Sequence, residues 1–128
     1  MALPRALFVS VHDAGRSQMA QAFWEVLGGE GRSAGSDPGE RIHPEVLEVM
    51  REVGLDLAGR RPHMLSEDDV EWADVIVTMG CGDVCPSLPG RRYLEWDLPD
   101  PAERGVEAAR SIRDEIRRRI KDLAGTSA

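Results

Sequence analysis

The stretch Ala6-Leu7-Phe8-Val9-Ser10-Val11-His12-Asp13-Ala14-Gly15-Arg16-Ser17 decides how the chain is read. Its first four residues are a short apolar run suited to a buried strand. From about Arg16 the spacing of Met19, Ala20, Phe23 and Leu27 predicts one face of a helix. A tight loop must join the two. A strand that feeds such a loop into a helix start aims successive main-chain N–H groups, and the positive end of the helix dipole, at one point where a small anion is stabilised. Gly15 lets the backbone curl. Arg16 adds a planar guanidinium able to hold two oxygens of a tetrahedral oxyanion, and the Ser17 hydroxyl can point back toward residue 10. Val11, His12, Asp13, Ala14, Gly15, Arg16 and Ser17 are therefore the candidate oxyanion-binding loop, with Ser10 at its strand end in the place of a nucleophile.

Ser10 limits the chemistry. A cysteine in that cup would be held as a thiolate of lowered pKa. A hydroxyl is nearly isosteric with a thiol but ionises far less readily. The nearby sequence offers His12 as the obvious base, although a side chain within an anion cup ordinarily points away from the anion.

Working outward, strand-like and helical runs alternate, which predicts an α/β domain of three layers: an open, parallel, four-stranded sheet with helices on both faces. Arg32-Ser33-Ala34-Gly35 is a short segment after the first helix. Val46, Val49, Met50 and Val53 recur at helical spacing, and Ser66-Glu67-Asp68-Asp69 reads as a helix cap followed by acids that suit the dipole. Asp74 to Met79 reads as a buried strand and Arg91 to Trp96 as a shorter last one. Glu103 to about Ala124 reads as a terminal helix with Ile112, Ile116, Ile120 and Leu123 inward. On that helix Arg113, Arg117, Arg118, Arg119 and Lys121 could form a docking patch, or a solvated face balanced by Asp114, Glu115 and Asp122; the second is the better reading.

The 128 residues are expected to form a single domain, 1–128, with a core that needs no disulfide staples. No run is long and apolar enough to span a membrane, and no signal-peptide pattern opens the chain, so a cytoplasmic location is expected. A net charge of -7 argues against a nucleic-acid partner. An acidic protein that binds an oxyanion must make its positive potential locally, which the loop around Arg16 does. His12, His43 and His63 show no metal-ligand spacing, so no catalytic metal is expected.

In an open parallel sheet a ligand sits beyond the carboxyl ends of the strands. Ser10 and Cys81 both follow strand-like runs, so such a fold brings their segments to one edge. Cys81 and Cys85 are flanked by Gly80, Gly82 and Pro86, which suits a loop. They are read as a redox pair, with two incidental buried cysteines as the alternative. Asp100, whose backbone is restrained by Pro101, is a candidate general acid or an exposed turn residue.

With cysteine at position 10 the loop would match the C-x5-R-S signature of the low-molecular-weight tyrosine phosphatase superfamily, and Val11 to Ala20 resembles its arsenate reductase branch. Arg32-Ser33-Ala34-Gly35-Ser36, Val53 to Leu57, Ala73 to Pro86 and Trp96 to Pro101 resemble further family segments in family order, so the likeness runs nearly end to end. It implies a flavodoxin-like fold and reduction of arsenate to arsenite by a thiol relay. In that relay a thiol at position 10 attacks arsenic held by the loop and Arg16, and Asp100 protonates the departing oxygen. Cys81 then releases arsenite, and Cys85 attacks Cys81 to leave a disulfide for an external dithiol. Thioredoxin, mycothiol and glutaredoxin systems all serve related enzymes. The resemblance implies no tightly bound cofactor beyond an oxyanion (arsenate, phosphate or sulfate) in the loop, and nothing demands more than a monomer. Some relatives bind potassium through residues matching Asp13, Gln21 and Ser36. Asp13 stands where asparagine is common in the family, and Gln21 where an acid is common.

Three readings follow. The first is an arsenate reductase inactivated at its nucleophile by Ser10. The second is a phosphatase for phosphotyrosine or small phosphate esters; it needs no cysteine relay, and Ala102 stands where an aromatic would line its groove. The third is a non-catalytic oxyanion-binding module, against which stands the retention of Arg16, Asp100 and both cysteines. The first accounts for most of the chain.

Overall fold

A computed structural model describes residues 2–80, 92–102 and 104–127. Strands β1 (Ala6–Ser10), β2 (Gly31–Gly35), β3 (Val75–Met79) and β4 (Arg92–Glu95) form a parallel sheet in the order β2-β1-β3-β4. Both partners of β1 run in register along its length, Ser10 lying between Gly35 and Met79. The helices are α1 (Arg16–Val26), α2 (Pro44–Arg51), α3 (Glu67–Trp72) and α4 (Val106–Ser127).

The central strands show why the fold has three layers. Every residue of β1 and of β3 is buried, as expected when both faces of a parallel sheet are covered. The period-two alternation of a strand sends Ala6 and Phe8 with Val75, Val77 and Met79 into one core, shared with α1, α2 and α4. Leu7, Val9 and Ile76 go to the other face, with Ala34, Val70 of α3 and Ala73. The first core is the larger. Its centre is Phe8, whose ring lies 6.3 Å from both Trp24 and Trp96.

Local chemistry fixes the helix ends. Ser66 caps α3 reciprocally: its hydroxyl accepts from the Asp69 N–H at 3.2 Å and the Asp69 carboxylate accepts from the Ser66 N–H at 3.2 Å. Pro44 occupies the first turn of α2, where its missing N–H costs nothing. Helix α4 begins at Val106, after Gly105 at φ +90°, and not at position 103 as expected. Its Ile112, Ile116, Ile120 and Leu123 all face the core. Helix α1 ends one residue short of Leu27, which is 42% exposed, so the expected apolar face stops at Phe23 and Trp24.

The arginines of α4 are largely committed to neighbours. Arg113 is buried and donates to the Val49 carbonyl at 2.9 Å and to Glu52 at 2.7 Å. Arg110 also grips Glu52, while Arg118 and Arg119 pair with Glu115. Three of the five cations expected on this face, Arg113, Arg118 and Arg119, are thus ion-paired, while the Arg117 guanidinium lies over the Phe23 ring at 5.7 Å. Among the described residues no helix is long and apolar enough to cross a membrane.

The sheet order places the site. The chain moves from β1 to β2 on one side and to β3 and β4 on the other, so the order reverses between β1 and β3. Beyond the carboxyl ends at such a reversal lies the crevice where open α/β sheets hold ligands. The loop after β1 and Gly80 after β3 meet there.

Candidate active site

The loop from Val11 to Gly15 leaves β1 and enters α1 with most of its N–H groups unspent. The main-chain N–H groups of Val11, His12, Ala14, Gly15, Arg16 and Ser17 have no hydrogen-bond acceptor among the described residues. Asp13 donates to the Ser10 hydroxyl at 3.3 Å. The carbonyls of the same loop are taken: Asp37 donates to Val11, Gly39 to His12 and His43 to Ala14, at 2.8 to 3.0 Å. Tying down the oxygens from outside leaves the donors on the inside, an arrangement that suits an anion.

Asp13 holds the loop in this shape. It is wholly buried and sits at φ +50°, a left-handed conformation that Asp tolerates better than most side chains. One carboxylate oxygen accepts from the Ser17 hydroxyl at 2.7 Å, the other from the His63 N–H at 3.0 Å. Burial raises its pKa above the ordinary value, against the opposing pull of these bonds and of the nearby His63 ring. Ser10 and Ser17, both buried, face each other with their hydroxyl oxygens 2.7 Å apart. The contact expected between Ser17 and position 10 is therefore present. The path onward to Asp13 was not legible in sequence.

Arg16 is buried and links the loop to the segment after β4. One guanidinium nitrogen donates to the Leu98 carbonyl at 2.9 Å, and the other terminal nitrogen is 3.7 Å from Asp100. Burial lowers its pKa and Asp100 raises it again; a guanidinium remains charged throughout. Trp96 and Leu98, both buried, anchor this segment so that Asp100-Pro101 returns over the loop. The approach is close enough that a Cβ on Gly15 would come within 3.0 Å of the Pro101 ring. Gly80, at φ +81°, leaves room for Arg16, since a Cβ there would stand 2.9 Å from the guanidinium. Asp100 also accepts from the Ala102 N–H at 2.9 Å, which fixes its side chain at the turn.

His12, the two cysteines and the potassium positions complete the expected site. The His12 ring nitrogen pairs with the Asp37 carbonyl at 2.9 Å and is turned away from Ser10, so His12 contributes backbone and not a base. Cys81 and Cys85 lie outside the described residues. At the positions matched to potassium ligands, each Asp13 oxygen accepts from a protein donor, and the His63 ring stands 3.6 Å from one of them. Gln21 turns its amide N–H groups to Gly31 and Glu25. The adjoining cleft, about 220 Å³, is lined in part by Arg32, Arg60, Arg61 and His63.

Residues 5–127 match the family model described as "Low molecular weight phosphotyrosine protein phosphatase". The chain belongs to that family. Within and around the family, a "thioredoxin-dependent arsenate reductase" from Corynebacterium glutamicum is 41% identical with a TM-score of 0.85; the match covers 98% of this chain, which spans 62% of that one. A "Glutaredoxin arsenate reductase" from Synechocystis is 29% identical over 94% of this chain and 96% of its own. An "arginine phosphatase" from Geobacillus stearothermophilus shares the fold at TM-score 0.85 and 27% identity, covering 96% of this chain and 92% of its own. This low-molecular-weight phosphatase family member thus has both arsenate reductases and phosphatases among its similar structures. The four-stranded parallel architecture expected from the sequence is the one these relatives share.

Proposed function

We propose that the chain is an arsenate reductase of the thiol-relay type, whose reductive cycle is stopped at the first step because Ser10 stands where a thiol must attack arsenic. The observation that carries the oxyanion part is the loop itself: carbonyls tied by outside donors, N–H groups without acceptors among the described residues, and Arg16 linked to Leu98 and Asp100. Choice of arsenate over a phosphate ester rests on the arsenate reductases among the relatives and on the presence of Cys81 and Cys85.

In this reading the loop and Arg16 bind and orient the oxyanion, and Asp100 protonates a departing oxygen. Two electrons must reach arsenic, and two thiols supply them while a third regenerates the first. A hydroxyl at position 10 cannot form the disulfide with Cys81 that releases arsenite. The Cys81–Cys85 disulfide formed by a complete relay would be reduced by thioredoxin or another external dithiol in the cytoplasm. No bound cofactor enters the scheme.

The test is Ser10→Cys, assayed for arsenate-dependent NADPH oxidation with thioredoxin and thioredoxin reductase. Turnover by the restored protein, none by the chain as it stands, and none by Ser10→Cys carrying Cys85→Ser are the expected results. Hydrolysis of an aryl phosphate by Ser10→Cys without arsenate turnover would favour a phosphatase, the class to which the Geobacillus neighbour belongs.

A further inference from the structure

A hydroxyl attacks phosphorus only if something takes its proton, and the structure supplies what the sequence did not. Ser17 donates its hydroxyl proton to Asp13. A hydroxyl has one proton to give. The 2.7 Å contact between Ser10 and Ser17 is therefore made with Ser10 as the donor. Ser10, Ser17 and Asp13 form a directed chain of hydroxyl, hydroxyl and carboxylate, buried throughout. The Asp13 N–H, donating to the Ser10 oxygen, favours negative charge developing there.

We infer that Ser10 is a working hydroxyl nucleophile that takes the phosphoryl group of a phosphate monoester, its proton passing through Ser17 to Asp13. This is a second activity; it shares with the proposed arsenate chemistry the oxyanion cup and the acid Asp100, and needs neither cysteine. The raised pKa of buried Asp13 makes that carboxylate a stronger base than an exposed one.

The step balances without an outside reactant. The Ser10 oxygen forms a bond to phosphorus while the bond from phosphorus to the ester oxygen breaks. The Ser10 proton moves to the Ser17 oxygen, and the Ser17 proton moves to Asp13. The leaving alcohol departs with the bonding pair, as an aryloxide when its own acidity permits, and otherwise with a proton from Asp100. The products are phosphoserine at position 10, the free alcohol or aryloxide, and protonated Asp13. Arg16 and the loop N–H groups hold the phosphoryl oxygens. The negative charge of Asp13 is partly offset by its bonds to Ser17 and His63. A phosphoserine ester is a poorer leaving group than a phosphocysteine, so the modified chain accumulates, and the reaction stops near one equivalent.

The full chain is incubated with 4-nitrophenyl phosphate, nitrophenolate is followed, and the phosphate is located by fragmenting the intact protein in a mass spectrometer. Inorganic phosphate binding is measured by calorimetry on every variant, so that loss of the cup is seen apart from loss of the base. The expected result is about one equivalent of nitrophenolate and phosphate on Ser10, with none from Ser10→Ala. Asp13→Asn is expected to slow the burst by about 10²–10⁴-fold, the usual range for removing a general base. Ser17→Ala breaks the same path without touching the Asp13 bond to His63 and is expected to slow it likewise. In the Ser10→Cys background, Asp13→Asn should alter nitrophenolate release far less, because a thiolate needs no base; a merely structural role would slow both nucleophiles alike. Phosphate binding without phosphoserine overturns the inference and leaves the cup standing. Absence of both overturns the cup as well. Phosphate on Ser17, or an Asp13→Asn protein that binds phosphate and reacts as fast, also overturns it.

Discussion

Asp13→Ala removes the side chain that holds the loop, and the structure sets the cost. Two hydrogen bonds to an ionised, fully buried carboxylate disappear, from Ser17 at 2.7 Å and from the His63 N–H at 3.0 Å. Bonds of that kind contribute about 1.5–3 kcal/mol each. Alanine at φ +50° adds a further penalty of about 1–2 kcal/mol for the left-handed backbone. Against these stands relief from burying a carboxylate, a term of several kcal/mol whose presence the raised pKa reports. The balance is a destabilisation of about 3 kcal/mol, which for a domain of this size lowers Tm by roughly 10 °C. Asp13→Asn should fall between the two proteins. It keeps tolerance of the left-handed backbone and an acceptor for Ser17, but presents an N–H group to the His63 N–H. Urea unfolding at neutral pH and thermal melting, both followed by circular dichroism, measure the series. An Asp13→Ala protein within about 1 kcal/mol of the parent, too small a change for a broken buried network, would refute the argument that this carboxylate holds the loop.

Other consequences follow from the same contacts. Arg16→Lys replaces a planar fork with a point charge and should weaken inorganic phosphate binding by about one charge-assisted hydrogen bond, roughly tenfold to a hundredfold, in calorimetric titration. Ile116→Ala opens a fully buried site in the main core and should cost about 2–5 kcal/mol in urea unfolding. Glu52 has its pKa lowered from 4.5 to about 2 by hydrogen bonds from Arg110 and Arg113. A depressed folded-state value gives stability that is fully present above 4.5 and is lost as pH falls toward 2. Glu52→Gln should therefore lower Tm at neutral pH, with the gap to the parent closing across that acidic interval.

How much of this could be read in the sequence depended on the range of the interaction. Periodic apolar spacing gave away the inward face of α4, because Ile112, Ile116 and Ile120 recur one turn apart. Ser66 was readable as a cap because its partner Asp69 is only three residues on. Strand β2, Gly-Arg-Ser-Ala-Gly, carries almost no β-branched signal and is held by its register with β1. Leu27 matched helical spacing but fell past the last turn of α1, where the chain turns through Gly28 at φ +90°. In the site, residues 10–17 were legible because strand, loop and helix are contiguous. The tie between Asp13 and His63 spans fifty residues, and no local pattern announces it. The route from Ser10 to Asp13 was hidden for another reason: it needs side-chain directions, and a spacing of residues 10, 13 and 17 does not fix them.

The central claim is that the loop after β1 binds a tetrahedral oxyanion through its own N–H groups. The direct measurement is an amide nitrogen–proton correlation spectrum of the isotopically labelled chain, titrated with arsenate and, separately, with phosphate. The account predicts saturable shifts centred on the amides of Val11, His12, Ala14, Gly15, Arg16 and Ser17, with the Arg16 side-chain signal moving in step. Spectra in which those amides stay fixed at saturating anion, or in which the shifts centre on Arg60 to His63 instead, would contradict it.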